Sequence, residues 1–499
     1  MSDYFITREQ AENDLLACAA FIAERIKSSD GHAEAMNVIV PQYLAKGNVD
    51  LAAELANAID DPFSRDKLLI MVAEKCAELD DDEYGLQLAD AIEDHALQAQ
   101  AFERIALVIA SKGRAERAAE VADAMSHPDF VYAGIAVNQA ASGNEAGADA
   151  TLEGIEFSTA RVSALQQIAA EQIGNDRSEK GVDSLTRAVA AAGEIEHDEE
   201  KIRAFCEIGN NFIEAKANDK AIETFERARG FAELLDNQHR DFFLVNCALG
   251  FLRAGSGELA DRTLDLVTDK TQMASALLGF ARDHWAKDEK DDAVDVLEEA
   301  YAIIKSQRDT ETRDSRSRNV LLTSIAAQFA GFGKSDRGVE IALENQDPNE
   351  QMAALSQIAQ ILTVQKEDEL ARQTINLIAD DANRLFAFIA LSDIKEKNGE
   401  TEVSLELLDE AATLSETVEQ LAPRSSVLNE IAARFADRGR IEKARTVSLE
   451  NLAVIAEIRD ESSKAVALAG LSDIFDAMNF ELSDGEKQYL AALVRKTDW

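Results

Sequence analysis

The chain has 499 residues, of which 94 are acidic and 51 basic, for a net charge of −43; 46% are apolar and only 5 are prolines. This length exceeds one ordinary globular core, so the chain is either several domains or an array that grows without a central core. The apolar content excludes a disordered protein. The charge argues against nucleic acid or an anionic membrane as partner, and abundant alanine and leucine with few prolines favour helices.

The N-terminus, "MSDYFITREQAENDLLACAAFIAERIK", has no basic segment leading into an apolar run, so no secretory signal is read. No stretch of about 18 apolar residues follows anywhere, which excludes a membrane span. Cys18, Cys76, Cys206 and Cys247 are widely spaced, without a CxxC pair, and read as reduced, buried thiols of a cytoplasmic protein. Thr7 and Gln10 stand in capping-box spacing and open what reads as one long helix. Residues 1–32 are therefore assigned to an N-terminal capping helix.

A helix-turn-helix beat then runs through 33–482. It is clearest in "FCEIGNNFIEAKANDKAIETFERA", where Phe205, Ile208, Gly209, Phe212, Ala221, Phe225 and Ala228 mark two helix faces about a short turn. Gly209 and Ala221 let the two backbones approach, and the phenylalanines fill the space beside them. The beat returns at Phe102, Leu244 and Leu428. Weaker copies start near Met36, Leu69, Tyr132, Leu165, Leu277, Leu322, Leu355, Phe388 and Leu468, about thirteen in all, usually 33 residues apart. The step lengthens in places, most around "AIIKSQRDTETRDSRSRN", which reads as a longer second helix with a polar loop. Gly47, Gly113, Gly143, Gly255, Gly399 and Gly439 sit in the turn within a repeat, where a helix end favours a left-handed residue. Pro62, Pro128 and Pro348 sit at joints between repeats, where they stop one helix and start the next. "SDGEKQYLAALVRK" repeats the capping-box spacing with Ser483 and Glu486, so 483–499 is assigned to a C-terminal capping helix.

This pattern resembles the tetratricopeptide repeat family over roughly residues 33–480. The usual step is one residue short of that family's, and leucine often replaces the first aromatic, which leaves a HEAT-type helical pair open. Either resemblance implies the same fold: all-α, an α-solenoid of about thirteen helix-turn-helix repeats, in a right-handed superhelix.

No signature of a nucleotide-binding loop, a zinc protease, a hydrolase elbow or a dinucleotide fold is present. The histidines are scattered; His284 falls where Phe212 and Phe251 fall in their repeats and reads as an inter-helix packing residue. "LDDDEYG" at 79–85 lacks calcium-loop spacing. No catalytic residue, metal ligand or cofactor is assigned, and the chain reads as a non-enzyme. The resemblance places the first helix of each pair on the concave face. In the central repeats that face carries few charges, and the acid lies mostly on second helices and turns, for example Glu223, Glu226, Asp291, Asp292, Asp295 and Glu298. This distribution reads as a solvated acidic coat suited to a salt-rich cytoplasm. Arg203, Asn210, Phe242, Val245, Leu249, Leu252, Arg282 and Trp285 are the candidate contacts for a partner protein or peptide segment: apolar anchors with two arginines to grip an acidic group. The expected function is an interaction scaffold or adaptor; the alternative is a structural protein that self-assembles.

Overall fold

The computed structural model describes residues 4–306 and 312–497. Every regular element in it is helical. Short N-terminal helices α1 (Arg8–Ala11) and α2 (Leu15–Ala23) precede twelve helix pairs. These are α3 (Ser29–Ala45) with α4 (Val49–Asn57), α5 (Pro62–Glu78) with α6 (Asp82–Asp90), α7 (His95–Ser111) with α8 (Ala115–Asp123), and α9 (Asp129–Ala141) with α10 (Glu145–Glu153). Then come α11 (Ser158–Gly174) with α12 (Ser178–Gly193), α13 (Asp198–Glu214) with α14 (Asn218–Leu234), α15 (Arg240–Arg253) with α16 (Gly257–Leu264), and α17 (Lys270–Ala286) with α18 (Lys290–Ser306). The rest are α19 (Thr312–Gly331) with α20 (Ser335–Glu344), α21 (Pro348–Val364) with α22 (Asp368–Ile375), α23 (Asp381–Lys397) with α24 (Thr401–Leu414), and α25 (Leu421–Asp437) with α26 (Ile441–Glu457), followed by α27 (Glu461–Ala477) and α28 (Asp484–Thr497). The chain is an all-α solenoid of repeated helix pairs. It forms two compact units, residues 1–105 with 359–499, and residues 106–358.

Each repeat turns through one left-handed residue. The six glycines expected there all have positive φ, and Gly333 joins them. In the other repeats the place is held by Asp80, Asp176, Lys216, Asp288, Lys366 and Asn479, with φ from 51° to 67°. Thirteen such residues mark thirteen repeats. Five residues after twelve of them stands a small, buried residue of the second helix: Ala52, Gly85, Ala118, Ala148, Gly181, Ala221, Ala260, Ala293, Gly338, Ala371, Ser404 or Ala444. A Cβ on Gly85 or Gly338 would sit 2.8 Å or 2.5 Å from a carbonyl oxygen of the first helix, seven residues before the turn. In the second unit the Phe225 ring, fully buried, lies against both Gly209 and Gly250, where added Cβ atoms would come within 2.7 and 2.4 Å of it. Phe225 thus joins α14 to the first helices of its own repeat and the next.

The joints between repeats use a device the periodicity does not show. Asp66, Asp129 and Asp241, each fourteen residues before the turn residue of its repeat, are buried at 1%, 5% and 7% exposure. Each carboxylate accepts backbone N–H groups of the loop entering the following repeat. Asp66 takes Glu93 and Asp94 (3.2 and 3.1 Å), Asp129 takes Phe157 (2.6 Å), and Asp241 takes Thr268 and Asp269 (2.7 and 2.6 Å). In two later repeats the residue at that same place offers its carbonyl instead: Asn319 accepts Nδ2 of Asn345, in the joint after α20, and Ser425 accepts Nδ2 of Asn451, within α26. Pro62 and Pro348 begin α5 and α21, and Pro128 immediately precedes α9, so these prolines do mark joints.

Second helices are tied across repeats by ion pairs. Lys180–Glu145 (2.6 Å), Arg187–Asp149 (2.8 Å) and Arg337–Glu298 (3.0 Å) run along the second unit; Lys443–Asp409 (2.5 Å) and Arg440–Glu402 (3.1 Å) along the first. Exposed pairs like these stabilise by at most about 1 kcal/mol each. Their larger effect is to offset repulsion on an acidic face.

The ends differ from expectation. The segment read as one long helix breaks at 12–14, because Asp14 adopts an extended backbone and caps a new helix by accepting the Ala17 N–H at 2.7 Å. The Thr7–Gln10 capping box is formed. α2 is buried at all nine of its positions and packs on α27, while α1 and α28 pack on each other. Residues 307–311 of the long connection lie outside the described residues.

Two measurements follow from this architecture. A lysine in the left-handed region is strained by about 1–2 kcal/mol, only part of which glycine's entropy returns. Lys216→Gly should therefore raise the stability of the second unit by about 0.5–1 kcal/mol in urea unfolding, and Gly255→Val should lower it by a comparable or larger amount. Burial alone would push the Asp241 carboxyl up, but hydrogen bonds from Asp269 and Thr268, with the Arg240 cation at 2.8 Å, hold it below the usual range. Its contribution is therefore present above about pH 4, the unfolded value, and fades as pH falls through the lower folded value. Asp241→Ala should cost about 2–3 kcal/mol at neutral pH. It should also speed hydrogen exchange at Thr268 and Asp269, and its difference from the wild type should shrink below about pH 4.

Candidate functional site

In the second unit, α15 and α17 enclose a pocket of about 430 Å³ lined by Leu249, Leu252, Arg253, Gly279, Arg282 and Asp283. The two first helices come close because Gly279 has no side chain: a Cβ there would lie 2.3 Å from Leu249 Cδ2. Earlier in this unit Leu107 of α7 stands to Gly134 of α9 in the same way: a Cβ there would lie 2.2 Å from Leu107 Cδ2. Leu249 and Leu252 form an apolar floor, and the arginines stand at its edge. Arg253 Nη2 donates to Asn210 Oδ1 at 2.8 Å, and Arg282 Nε donates to Gln328 Oε1 at 3.0 Å. These neutral contacts fix both guanidiniums without neutralising them. Asp283, the acid of the pocket, is drawn off by Lys287 at 2.6 Å. That contact, ahead of the cost of burial, raises the Lys287 pKa.

Three of the eight residues expected to contact a partner, Leu249, Leu252 and Arg282, therefore meet in one pocket, and Asn210 reaches it through Arg253. Arg203 is exposed on α13. Phe242 is exposed (45%) on the first turn of α15, its ring edge-on to Phe243. Val245 does not present itself to a partner: at 4% exposure it is part of the core beneath α15. Leu252, at 8%, offers only the part of its surface that floors the pocket. Trp285 is half-buried and stacked on Phe332 of the next repeat, ring centroids 4.3 Å apart and nearly parallel, so one face of its ring is taken up by packing. Arg253 was missed because it precedes a turn. Its spacing of four from Leu249 on one helix face is the signal that would have found it.

Other surfaces compare poorly. A groove of about 570 Å³ in the first unit is lined by Pro41, Leu44, Ile70 and Met71 beside Lys75 and Arg104. Two of its cations are paired, Arg104 with Glu74 and Lys75 with Glu78, both at 2.8 Å, and the third, Lys67, lies over the Phe63 ring at 4.1 Å. His284 is not the buried packing residue its repeat position suggests. It is partly exposed, and its Nδ1 meets Glu289 Oε2 at 2.7 Å. With Asp292 these form a group whose ligand atoms lie within 4.8 Å of one another. All three are at the surface, and a cation there would have to displace the existing hydrogen bond. Among the described residues, no helix is long and apolar enough to cross a membrane.

No protein family model matches the chain, and no curated protein matches it. Among solved structures it is similar to Ton1535 from Thermococcus onnurineus NA1, with 17% identity and a TM-score of 0.26 over 70% of this chain and 97% of that one. It is also similar to the apo form of the quorum sensor NprR from B. thuringiensis, with 12% identity and a TM-score of 0.27 over 65% and 97%. A circular tandem repeat protein with novel repeat topology is matched with 14% identity and a TM-score of 0.13 over 94% and 92%. At these scores none of them bears on what the pocket takes.

Proposed function

We propose that the protein is a non-enzymatic interaction scaffold, its repeats of tetratricopeptide type, and that the pocket between α15 and α17 takes a segment of a partner protein carrying aliphatic side chains beside a carboxylate. The observation that supports this reading is the state of the arginines. In a chain with 94 acidic residues, Arg253 and Arg282 rest on amide oxygens and have no carboxylate partner among the described residues. Other arginines that bridge neighbouring repeats do so through carboxylates: Arg337 with Glu298, Arg434 and Arg438 with Asp393. An uncompensated pair of guanidiniums at the edge of an apolar floor suits a carboxylate ligand, whose charge-assisted hydrogen bonds would be the strong contacts. The surrounding acid would repel basic segments and so add to specificity. Growth by end surfaces is the less favoured reading, because α2, α3 and α27 already cover one another within the first unit.

The test uses two labelled synthetic peptides of alternating leucine with glutamate or with lysine. The glutamate peptide should bind, weaken as salt rises, and lose at least tenfold in affinity to Arg253→Glu/Arg282→Glu. Gly279→Ala, which drives Leu249 toward the pocket, should weaken it without unfolding the chain. Equal binding of both peptides, or no effect of the double substitution, would sink the proposal.

A further inference from the structure

Twelve first helices are followed by a second helix with alanine, glycine or serine five residues beyond the left-handed turn. The thirteenth is not. Five residues after Asn479 stands Asp484, which is exposed. The helix it begins, α28, packs on α26, α2 and α1, with Arg445 reaching buried Glu486 at 3.3 Å. α27 packs instead on α2, more extensively than on any other helix, and on α3. The place of its second helix is taken by the N-terminal segment.

The register at this junction is the one used within the array. Gln42, five residues before its turn residue Gly47, donates Nε2 to the carbonyl of Ala469 at 3.0 Å, ten residues before Asn479, and to Asp473 at 2.8 Å, six before it. In the second unit Gln328, five before Gly333, donates to the carbonyl of Leu278 at 2.9 Å, ten before Asp288. It accepts from Arg282, six before. Lys46–Asp476 (2.7 Å) and Ser462–Glu34 (2.7 Å) continue the same seam. So α3 sits on α27 as one repeat sits on the preceding one, although more than 400 residues separate them in sequence.

We propose that the face of α27 is a helix-docking site made for the N-terminal segment of this chain, residues 5–46 with α2 and α3, and that a second copy of the chain is the partner that fills it when the intramolecular segment is displaced. The occupant is selected by its chemistry. α2 reads "LLACAAFIA" and is buried at every position, so a foreign amphipathic helix would have to bury its polar face there. The run Ala17–Cys18–Ala19–Ala20 supplies the small side chains that second helices need at their contact. Burial, ahead of the nearby Asp14 charge, pushes the Cys18 thiol up to about 12, as expected of a packing residue. Nine residues are too few for a stable helix in water, so α2 has its structure only when docked. Glu24 then accepts the N–H groups of Phe5 and Ile6 at 2.7 and 3.2 Å and folds the leading residues over it.

The experiment uses the full chain with Glu34→Cys and Ser462→Cys, refolded from denaturant at low and at high protein concentration and then oxidised with diamide. At low concentration a monomer with a disulfide between the two introduced thiols is expected, which migrates faster on a non-reducing gel than either single variant treated alike, so that any bond between the native Cys206 and Cys247, whose sulfurs lie 3.9 Å apart, is common to all lanes. At high concentration disulfide-linked dimers should appear. An excess of synthetic peptide 5–26 present during refolding should suppress those dimers several-fold, whereas the same peptide with Phe21→Asp should not. Absence of the internal cross-link at low concentration, absence of dimers at high concentration, or equal action of the two peptides would each overturn the proposal.

Discussion

The structure depends on one contact, the approach of two helix backbones at the small residue five positions after each left-handed turn. Where that residue is glycine, even a methyl group would press on the carbonyl oxygen of the facing helix. Such an approach lets helices of about two to five turns bury their faces without a sheet or a central core. The left-handed residue exists to aim the second helix at that contact. Hence seven of the thirteen are glycine and the rest are Asp, Asn or Lys, tolerated because the pairing on both sides holds the conformation. The large residues follow from the small ones: Phe225 fills the space that Gly209 and Gly250 leave, and the same pattern of small against large recurs along the array.

That contact is why so much of the fold was legible. Alanine and glycine at fixed spacing beside large apolar residues are a residue-level record of helix proximity, and the period repeats it often enough to be read without a template. What was not legible has equally physical reasons. Asp66, Asp129 and Asp241 look like ordinary polar residues near helix starts, and only burial shows that they organise the joints. The break at Asp14 was hidden because Thr7 already supplied a good cap, and a second cap within one apolar run carries no periodic signal. The left-handed lysines gave no sign because lysine has no preference for that conformation.

The candidate site was half legible for a related reason. A repeat predicts which positions of a first helix face inward, but not how near the next helix lies. Val245 and Trp285 have inward register, yet the first is covered by the core and the second has one ring face stacked on Phe332. Leu249, Leu252 and Arg282 remain available because Gly279 narrows the floor there while Arg253 and Arg282 lean outward onto amide partners. Charge sorting completes the site. Several acids of second helices are matched across repeats by lysine or arginine, whereas the pocket's two guanidiniums stand together beside an apolar floor on amide oxygens.

The same logic of pairing governs the ends. A repeat array ordinarily leaves an apolar face at its last repeat, and a polar terminal helix shields it. In this chain Asp484 disqualifies α28 from the contact that every preceding second helix makes, while α2 carries the small, wholly apolar surface that the contact requires. Each terminal segment is thus incomplete alone: α2 is too short and too apolar to stand in water, and α27 has no second helix of its own. Their mutual burial removes both defects at once. It also makes the first and last repeats depend on each other, so that loosening either end removes support from the other.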